Sequence, residues 1–458
     1  MGGLKFIYGC LLGCLFWLSG TEHVFSQVSQ DDDFDAYQSA IISDFYAFED
    51  SIHVDFANFL EQAWQEFTVY EGTEPPRYSK VIPDYVVCSS GRLAVNNPKQ
   101  TAPDNRFFGT VVEPTSLPGK LFSLPGVGEK QVAEGWRSLS KENFTSLFDD
   151  CRNYTEKLHL NGWGAFLLVK HISRHGYASF SSSERTLFLF YVLSNWGYKV
   201  KIGRGEGNTL VLLLPFKEEV YRMPYVRMGN VKYYVMDTDN ANLKTLYSFD
   251  AEYPPAHKTL SLSVREALCF PEKEINRKFA GKYVLSVELN KHLLDFYATY
   301  PLCDLSVYFQ SKVSAGFHVS LGRYIEKQLD GKSRLACVSW LLDFVQQLFI
   351  HKSDELVHGK EMYYFPEEVC HYPYADCEDL SVFLFYLLRL YTDRKVLVLY
   401  YPSHVALAVE NCAGYKGKLL KYGEKEYMIC DPSYKGAAPG RVIPVSYTHL
   451  RAHETDSY

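Results

Sequence analysis

Hydrophobic spacing divides the chain into stretches of different period. Between Asp31 and Gly72, Phe34, Tyr37, Ile41, Phe45, Phe48, Ile52, Phe56, Phe59, Trp64 and Phe67 recur every three to five positions. That period predicts one or two amphipathic helices within an N-terminal segment 27–72. Segment 73–150 is broken by Pro75-Pro76, Asn96-Asn97-Pro98 and Pro103-Asp104, and reads as a linker with short strands such as Tyr85-Val-Val-Cys88. Segment 241–330 alternates apolar and polar residues at Leu260–Val264, Tyr283–Leu289 and Asp304–Phe309, which predicts a β-rich connecting module.

The C-terminal segment 331–445 carries the sharpest local signals. Asp376 is a helix N-cap residue answered three positions later by Asp379, so a helix is predicted to begin at Cys377. Its continuation from Leu380 to Leu390 is apolar nearly all round, as in a central helix packed on several sides. Lys395–Tyr401, Val405–Val409 and Lys425–Cys430 read as strands, the last stopped at Asp431-Pro432. Cys377 to His404 is 27 positions and His404 to Asp431 is 27 again, room for a helix with a strand and then a hairpin. Neighbouring antiparallel strands would bring His404 to the helix tip and Asp431 to His404.

The chemistry suggested is nucleophilic. A thiol at a helix start meets unpaired amides and a partial positive charge, which favour thiolate. It still needs a base, and the base needs an orienting group. Glu378 and Asp379 oppose ionisation of the thiol, so the His404 imidazolium has to outweigh them. The bland alternative is a buried core cysteine, a structural histidine and an ordinary Asp-Pro turn. Cys370-His371 beside Cys377 raises zinc, but no second close pair accompanies them, so no metal is assigned.

Asp-Cys-Glu-Asp before an apolar helix, then Ser-His-Val-Ala-Leu-Ala-Val, then Cys-Asp-Pro-Ser-Tyr resembles the transglutaminase-like cysteine peptidase superfamily. The resemblance extends upstream through Trp340–Gln346, Gly359–Glu361 and Tyr364–Glu368, and covers roughly residues 333 to 444. It implies a papain-like core with a Cys377, His404 and Asp431 triad. It also implies a second oxyanion donor from an upstream side chain, for which Gln346 is the candidate beside the Cys377 amide. The implied activity is thiol-dependent acyl transfer on a peptide, protein or peptidoglycan-type amide, with no cofactor. Water as acceptor would make a peptidase or amidase, an amine a transglutaminase. The alternative is a non-catalytic scaffold or binding protein of the cell envelope.

The chain also resembles itself. Ser182-Ser-Glu-Arg-Thr-Leu-Phe188-Leu-Phe-Tyr-Val-Leu193 lies under Cys377 and the following helix at a constant offset of 195. The same offset puts Thr209 under His404, and an offset of 194 puts Asp237 under Asp431. Residues 151–240 are therefore read as a degenerate second copy, structural or substrate-binding, without the nucleophile and the base; convergent patterning is the alternative. The fold class expected is α+β: a catalytic core at the C-terminus, a degenerate copy in the middle, a β-rich module between them and helices at the N-terminus.

Charge and termini refine the picture. A formal charge of -7 and the absence of a basic cluster exclude nucleic acid as a partner. The stretch 31–72 holds eleven acidic residues and no Lys or Arg, as on a solvated helix face. Lys5 followed by Phe6–Gly20 reads as a secretory signal over 1–26, giving a periplasmic, extracellular or cell-surface protein. Leu11-Leu-Gly-Cys14 offers lipid anchoring at Cys14 as the alternative to soluble export, and no later stretch is apolar enough to span a membrane. Without Cys10 and Cys14, 9 of the 11 cysteines remain, so at least one thiol is free or paired between chains. Residues 446–458 resemble a translated sequencing adapter, so His449 and His453 are not counted as ligands.

Overall fold

The computed structural model describes residues 31–75, 106–114, 117, 122–205, 208–236, 243–401, 404–441 and 451–454. The chain divides between Asp55 and Phe56 into two units. About 40% helix and 23% strand make it a mixed α+β protein. The signal region, Cys14, Tyr85–Cys88 and Asp237 lie outside the described residues.

Helix α1 (Asp31–Leu60) begins in the first unit, where most of its described side chains are exposed. It ends in the second, where Phe56, Ala57 and Leu60 are buried. The helical period expected through Phe67 stops there, and Gln65–Tyr70 form strand β1 instead. Phe67 keeps helical spacing from Trp64 but points inward with Val69, the alternation of a half-buried strand. The expected linker also carries more structure than its prolines suggest. After the hairpin β2 (Arg106–Phe107) and β3 (Thr110–Val111) come helices α2 (Glu129–Leu139) and α3 (Thr145–Leu158). Helix α2 buries Val132, Ala133, Trp136 and Leu139, one face at helical spacing that the flanking breakers obscure.

The middle of the chain is helix α4 (Gly162–Gly176), helix α5 (Ser182–Asn195), β4 (Lys201–Gly205), β5 (Thr209–Pro215), β6 (Tyr225–Met228), β7 (Val231–Met236) and β8 (Thr245–Ser248). With β1 these strands close a barrel in the order β1-β6-β7-β5-β4-β8. Val211, Leu213, Val226, Tyr233, Val235 and Leu246 fill its interior. Helix α5 opens with a capping box between Ser181 and Glu184 and packs on α4 and β5.

The connecting module is only partly β. Of the three strands expected, Tyr283–Leu289 corresponds to β10 (Leu285–Asn290), which pairs with β9 (Glu274–Phe279) in a two-stranded sheet. Asn290 then caps α6 (Lys291–Tyr297). Leu260, Leu262 and Val264 are buried as alternation requires, but their segment belongs to no named strand. Glu218 holds it by accepting from Ser261 Oγ, Ser263 Oγ and the Leu262 amide. Asp304–Phe309 turns into the short helix α7 (Ser306–Phe309) because Asp304 accepts from the Ser306 amide; Val307, Tyr308 and Phe309 are then all buried. Helix α8 (Ala315–Leu329) follows.

The C-terminal part is α9 (Arg334–Leu348), β11 (Ile350–His351), α10 (Asp354–His358), α11 (Pro366–His371), β12 (Tyr374–Ala375), α12 (Cys377–Tyr391), β13 (Val396–Tyr401), β14 (His404–Glu410), β15 (Leu420–Tyr422) and β16 (Lys425–Cys430). Its sheet runs β15-β16-β14-β13 and ends on β17 (Arg451–Glu454), with α12 packed on β14 and on α9. From His404 through Val409 every β14 residue is buried, so both faces of that strand are covered, which accounts for its unbroken apolar run. The last strand, β17 (Arg451–Glu454), lies within the segment expected to stand outside the fold, yet its backbone pairs antiparallel with β13. An edge strand offers unpaired amides and carbonyls to any extended segment, whatever its origin.

The two halves share strand order and, in two of the ladders, register. The order β6-β7-β5-β4 recurs as β15-β16-β14-β13. Leu212 faces Met236 as Leu407 faces Cys430, and Val226 faces Tyr233 as Leu420 faces Tyr427.

Candidate active site

Cys377 is the first residue of α12, set there by Asp376. Asp376 has extended backbone and accepts the Asp379 amide, while the Asp379 carboxylate receives the Asp376 amide at 3.4 Å and the Tyr364 amide at 3.0 Å. This double cap ties the helix start to the chain upstream of it. Ser381, one turn along, donates to the Val405 carbonyl at 3.2 Å and locks the helix to the start of β14.

His404 opens β14 and Asp431 follows β16, and the pairing of these strands brings the two side chains together. His404 Nε2 lies 2.8 Å from Asp431 Oδ2, with both residues buried. An ionised carboxylate only accepts, so Nε2 carries the hydrogen and Nδ1 is the basic atom of the neutral ring. Burial lowers the His404 pKa, but the hydrogen bond and charge of Asp431, with the charge of Glu378, outweigh it and raise the value above the usual imidazole range. The other Asp431 oxygen accepts from the Ser433 amide and hydroxyl and from the Tyr434 amide. Four bonds thus fix the carboxylate that orients the ring.

Cys377 is half-buried, and its thiol donates to Glu378 Oε2 at 2.8 Å. Burial, then the charges of Glu378 and Asp376, push the thiol pKa well above its ordinary value; the Val405 backbone works the other way. The helix start is therefore not enough to make a thiolate at rest. The desolvation and adjacent carboxylates prevail over the helix-end field.

Gln346 is close to Asp431 but is committed to it. Its Nε2 donates to the Asp431 and Ala437 carbonyls at 3.0 and 3.1 Å, and its Oε1 accepts the Gly436 amide at 3.0 Å. Both amide hydrogens are used, so none remains for an oxyanion. Gln346 instead holds the 431–437 turn against α9, and the oxyanion role expected of it does not fit this arrangement.

Two groups to which the sequence assigned no role lie near Glu378. His351 sits on β11, paired in parallel with β12 just before Asp376–Cys377. Burial and then the His404 charge depress its pKa, while Glu378 and Asp431 raise it. Glu361 shares a hydrogen bond with Glu378, and burial followed by that neighbour lifts its pKa to about 8. Only tertiary pairing brings a histidine of a two-residue strand and a loop glutamate here; neither has a periodic signature.

Carboxylate oxygens of Asp354, Asp376 and Asp379, and of Glu361, Asp376 and Glu378, lie within 4.8 Å of one another. Oxygen donors of this kind suit a hard divalent cation. Raised proton affinities of Glu361, Asp376 and Asp379 offer another route to charge balance.

In the middle of the chain, Ser182 opens α5 and Thr209 opens β5, the places that Cys377 and His404 take on α12 and β14. Both are exposed. Among the described residues Cys151, Cys269, Cys303, Cys337, Cys370, Cys377, Cys412 and Cys430 are free thiols. No helix of the described residues is long and apolar enough to cross a membrane. No family model, curated protein or solved structure matches the chain.

Proposed function

We propose that the protein is an exported thiol-dependent acyl-transfer enzyme, a transglutaminase-like cysteine peptidase or amidase that cleaves or exchanges amide bonds through Cys377, His404 and Asp431. The observation that carries this reading is the buried 2.8 Å bond between His404 and Asp431, one residue along β14 from the backbone that neighbours the Cys377 sulfur. A structural histidine needs no carboxylate fixed by three further donors.

In this mechanism the substrate's carbonyl carbon is attacked by sulfur while His404 Nδ1 takes the thiol proton. The carbonyl oxygen becomes an oxyanion beside the Cys377 amide. The intermediate collapses with loss of the amine, which takes the proton from the imidazolium, leaving a thioester. Water or a second amine then releases the acyl group. Because the resting thiol is bonded to Glu378, the proton has to change partners first. A substrate that displaces Glu378 from the sulfur would begin the reaction.

The repeated strand order and register support an internal duplication, with the 151–240 copy lacking nucleophile and base. The Cys377–Glu378 bond favours a second reading, a non-catalytic scaffold of the cell envelope in which the thiol stays protonated. Labelling of the full chain with a thiol-directed electrophile between pH 5 and 9, with Cys377→Ala as control, decides between them. Selective loss of one labelled site in the control, and labelling that depends on His404, support the enzyme. Labelling of Cys377 no faster than that of the exposed Cys269 would end that reading.

A further inference from the structure

The middle copy has a cleft of its own. It measures about 420 Å³ and lies between the end of α4, the start of α5 and strands β5 and β7. Its place in the order of elements is that of the Cys377 site in the C-terminal half. Where the C-terminal site gathers carboxylates, this cleft gathers cations: Lys170, Arg174 and Arg185 line it, and among the described residues no acidic one does. Leu189, Leu210, Leu212 and Met236, all buried, give it an apolar floor.

Two polar atoms of the cleft residues are left over by the fold. Ser173, 1% exposed, lines the cleft, and its Oγ has no hydrogen-bond partner. Arg185 donates from one terminal nitrogen to the Ala178 carbonyl at 2.9 Å, which fixes its guanidinium, while its Nε is buried without a partner. A buried hydroxyl and a buried N–H without partners cost stability unless something that accepts hydrogen bonds comes to them. Cations, spare donors and an apolar floor together describe an anionic head on an apolar body.

We infer that this cleft binds a small organic carboxylate, its head among Arg174, Arg185 and Ser173 and its apolar part on the leucine floor. Ser182, at the start of α5, then serves as part of a recognition site in place of a nucleophile. The inference does not rest on the chemistry assigned to Cys377.

Calorimetric titration of the full chain with 4-phenylbutanoate, 4-phenylbutanamide and inorganic phosphate tests it. The acid is expected to bind at least tenfold more tightly than its neutral amide and than phosphate. Arg174→Gln and Ser173→Ala are each expected to weaken the acid severalfold. The melting temperature of Ser173→Ala should stay level or rise, because a hydroxyl without a partner is removed. Cys377→Ala should bind the acid as the natural chain does, which separates this cleft from the other site. No heat with the acid, equal affinity for acid and amide, equal affinity for phosphate, or unchanged binding in both variants would overturn the inference.

Discussion

Glu378 accepts the hydrogen of the thiol immediately before it in sequence, Cys377, across 2.8 Å. In the proposed mechanism the residue next to the nucleophile candidate therefore competes with His404 for the same proton. That competition has measurable consequences.

Replacing Glu378 by Gln removes a charge that raises the thiol pKa and keeps the volume. Iodoacetamide labelling of Cys377 at pH 7 is expected to rise roughly tenfold or more, with its pH profile moved to lower pH. A rate unchanged from the natural chain would show that burial alone holds the thiol protonated.

Asp431→Asn leaves a side chain of the same shape and takes away the charge that raises the His404 pKa. Acyl transfer, measured on a peptide amide, is expected to fall by about 10²- to 10⁴-fold, as when an orienting carboxylate is lost from a triad. The imidazole titration, followed by NMR, should move down in pH. A group with a raised folded pKa stabilises the fold below its unfolded value, near 6.5, and that contribution fades as pH rises through the folded value. The Asn variant should lack this component.

Gln346→Leu leaves the Asp431 and Ala437 carbonyls and the Gly436 amide without their side-chain partner. Chemical denaturation is expected to show a loss of about 2–4 kcal/mol. Activity per folded molecule should fall as well, because the 431–437 turn positions the carboxylate. A variant with full activity and lower stability would confine Gln346 to folding.

Glu361 and Glu368 are both lifted from 4.5 to about 8, by burial first. The unfolded chain releases these protons near 4.5 and the folded chain holds them to about 8, so above 4.5 the native state binds more protons. Stability should therefore decline between about pH 4.5 and pH 8. Thermal melts across this range check the slope, and Glu361→Gln should make it shallower.

Much of this arrangement was legible from local chemistry. The Asp376–Asp379 cap marks the start of α12, and Lys425–Cys430 coincides with β16 because Pro432 forbids a longer ladder. The 27-residue spacings placed His404 beside Asp431 because antiparallel neighbours leave little freedom of register. What local pattern could not supply was partnership at a distance. The spare hydrogens of Gln346 are consumed by a turn 85 and 91 residues away. Phe67 fits a helical period or a strand alternation equally, and only β6 and β8 on either side decide for the strand. Residues 304–307 alternate as a strand would, but Asp304, accepting the Ser306 amide, begins a helical turn in which Val307, Tyr308 and Phe309 are all buried.

The barrel makes the chain sensitive at a point remote in sequence from Cys377. Strand β1 is its keystone, hydrogen-bonded to β6 on one flank and to β8 on the other. A cut or truncation that carries away residues 65–70 would leave two raw borders where there were none. Molecules trimmed past Gln65 would therefore be prone to pair with one another along those borders.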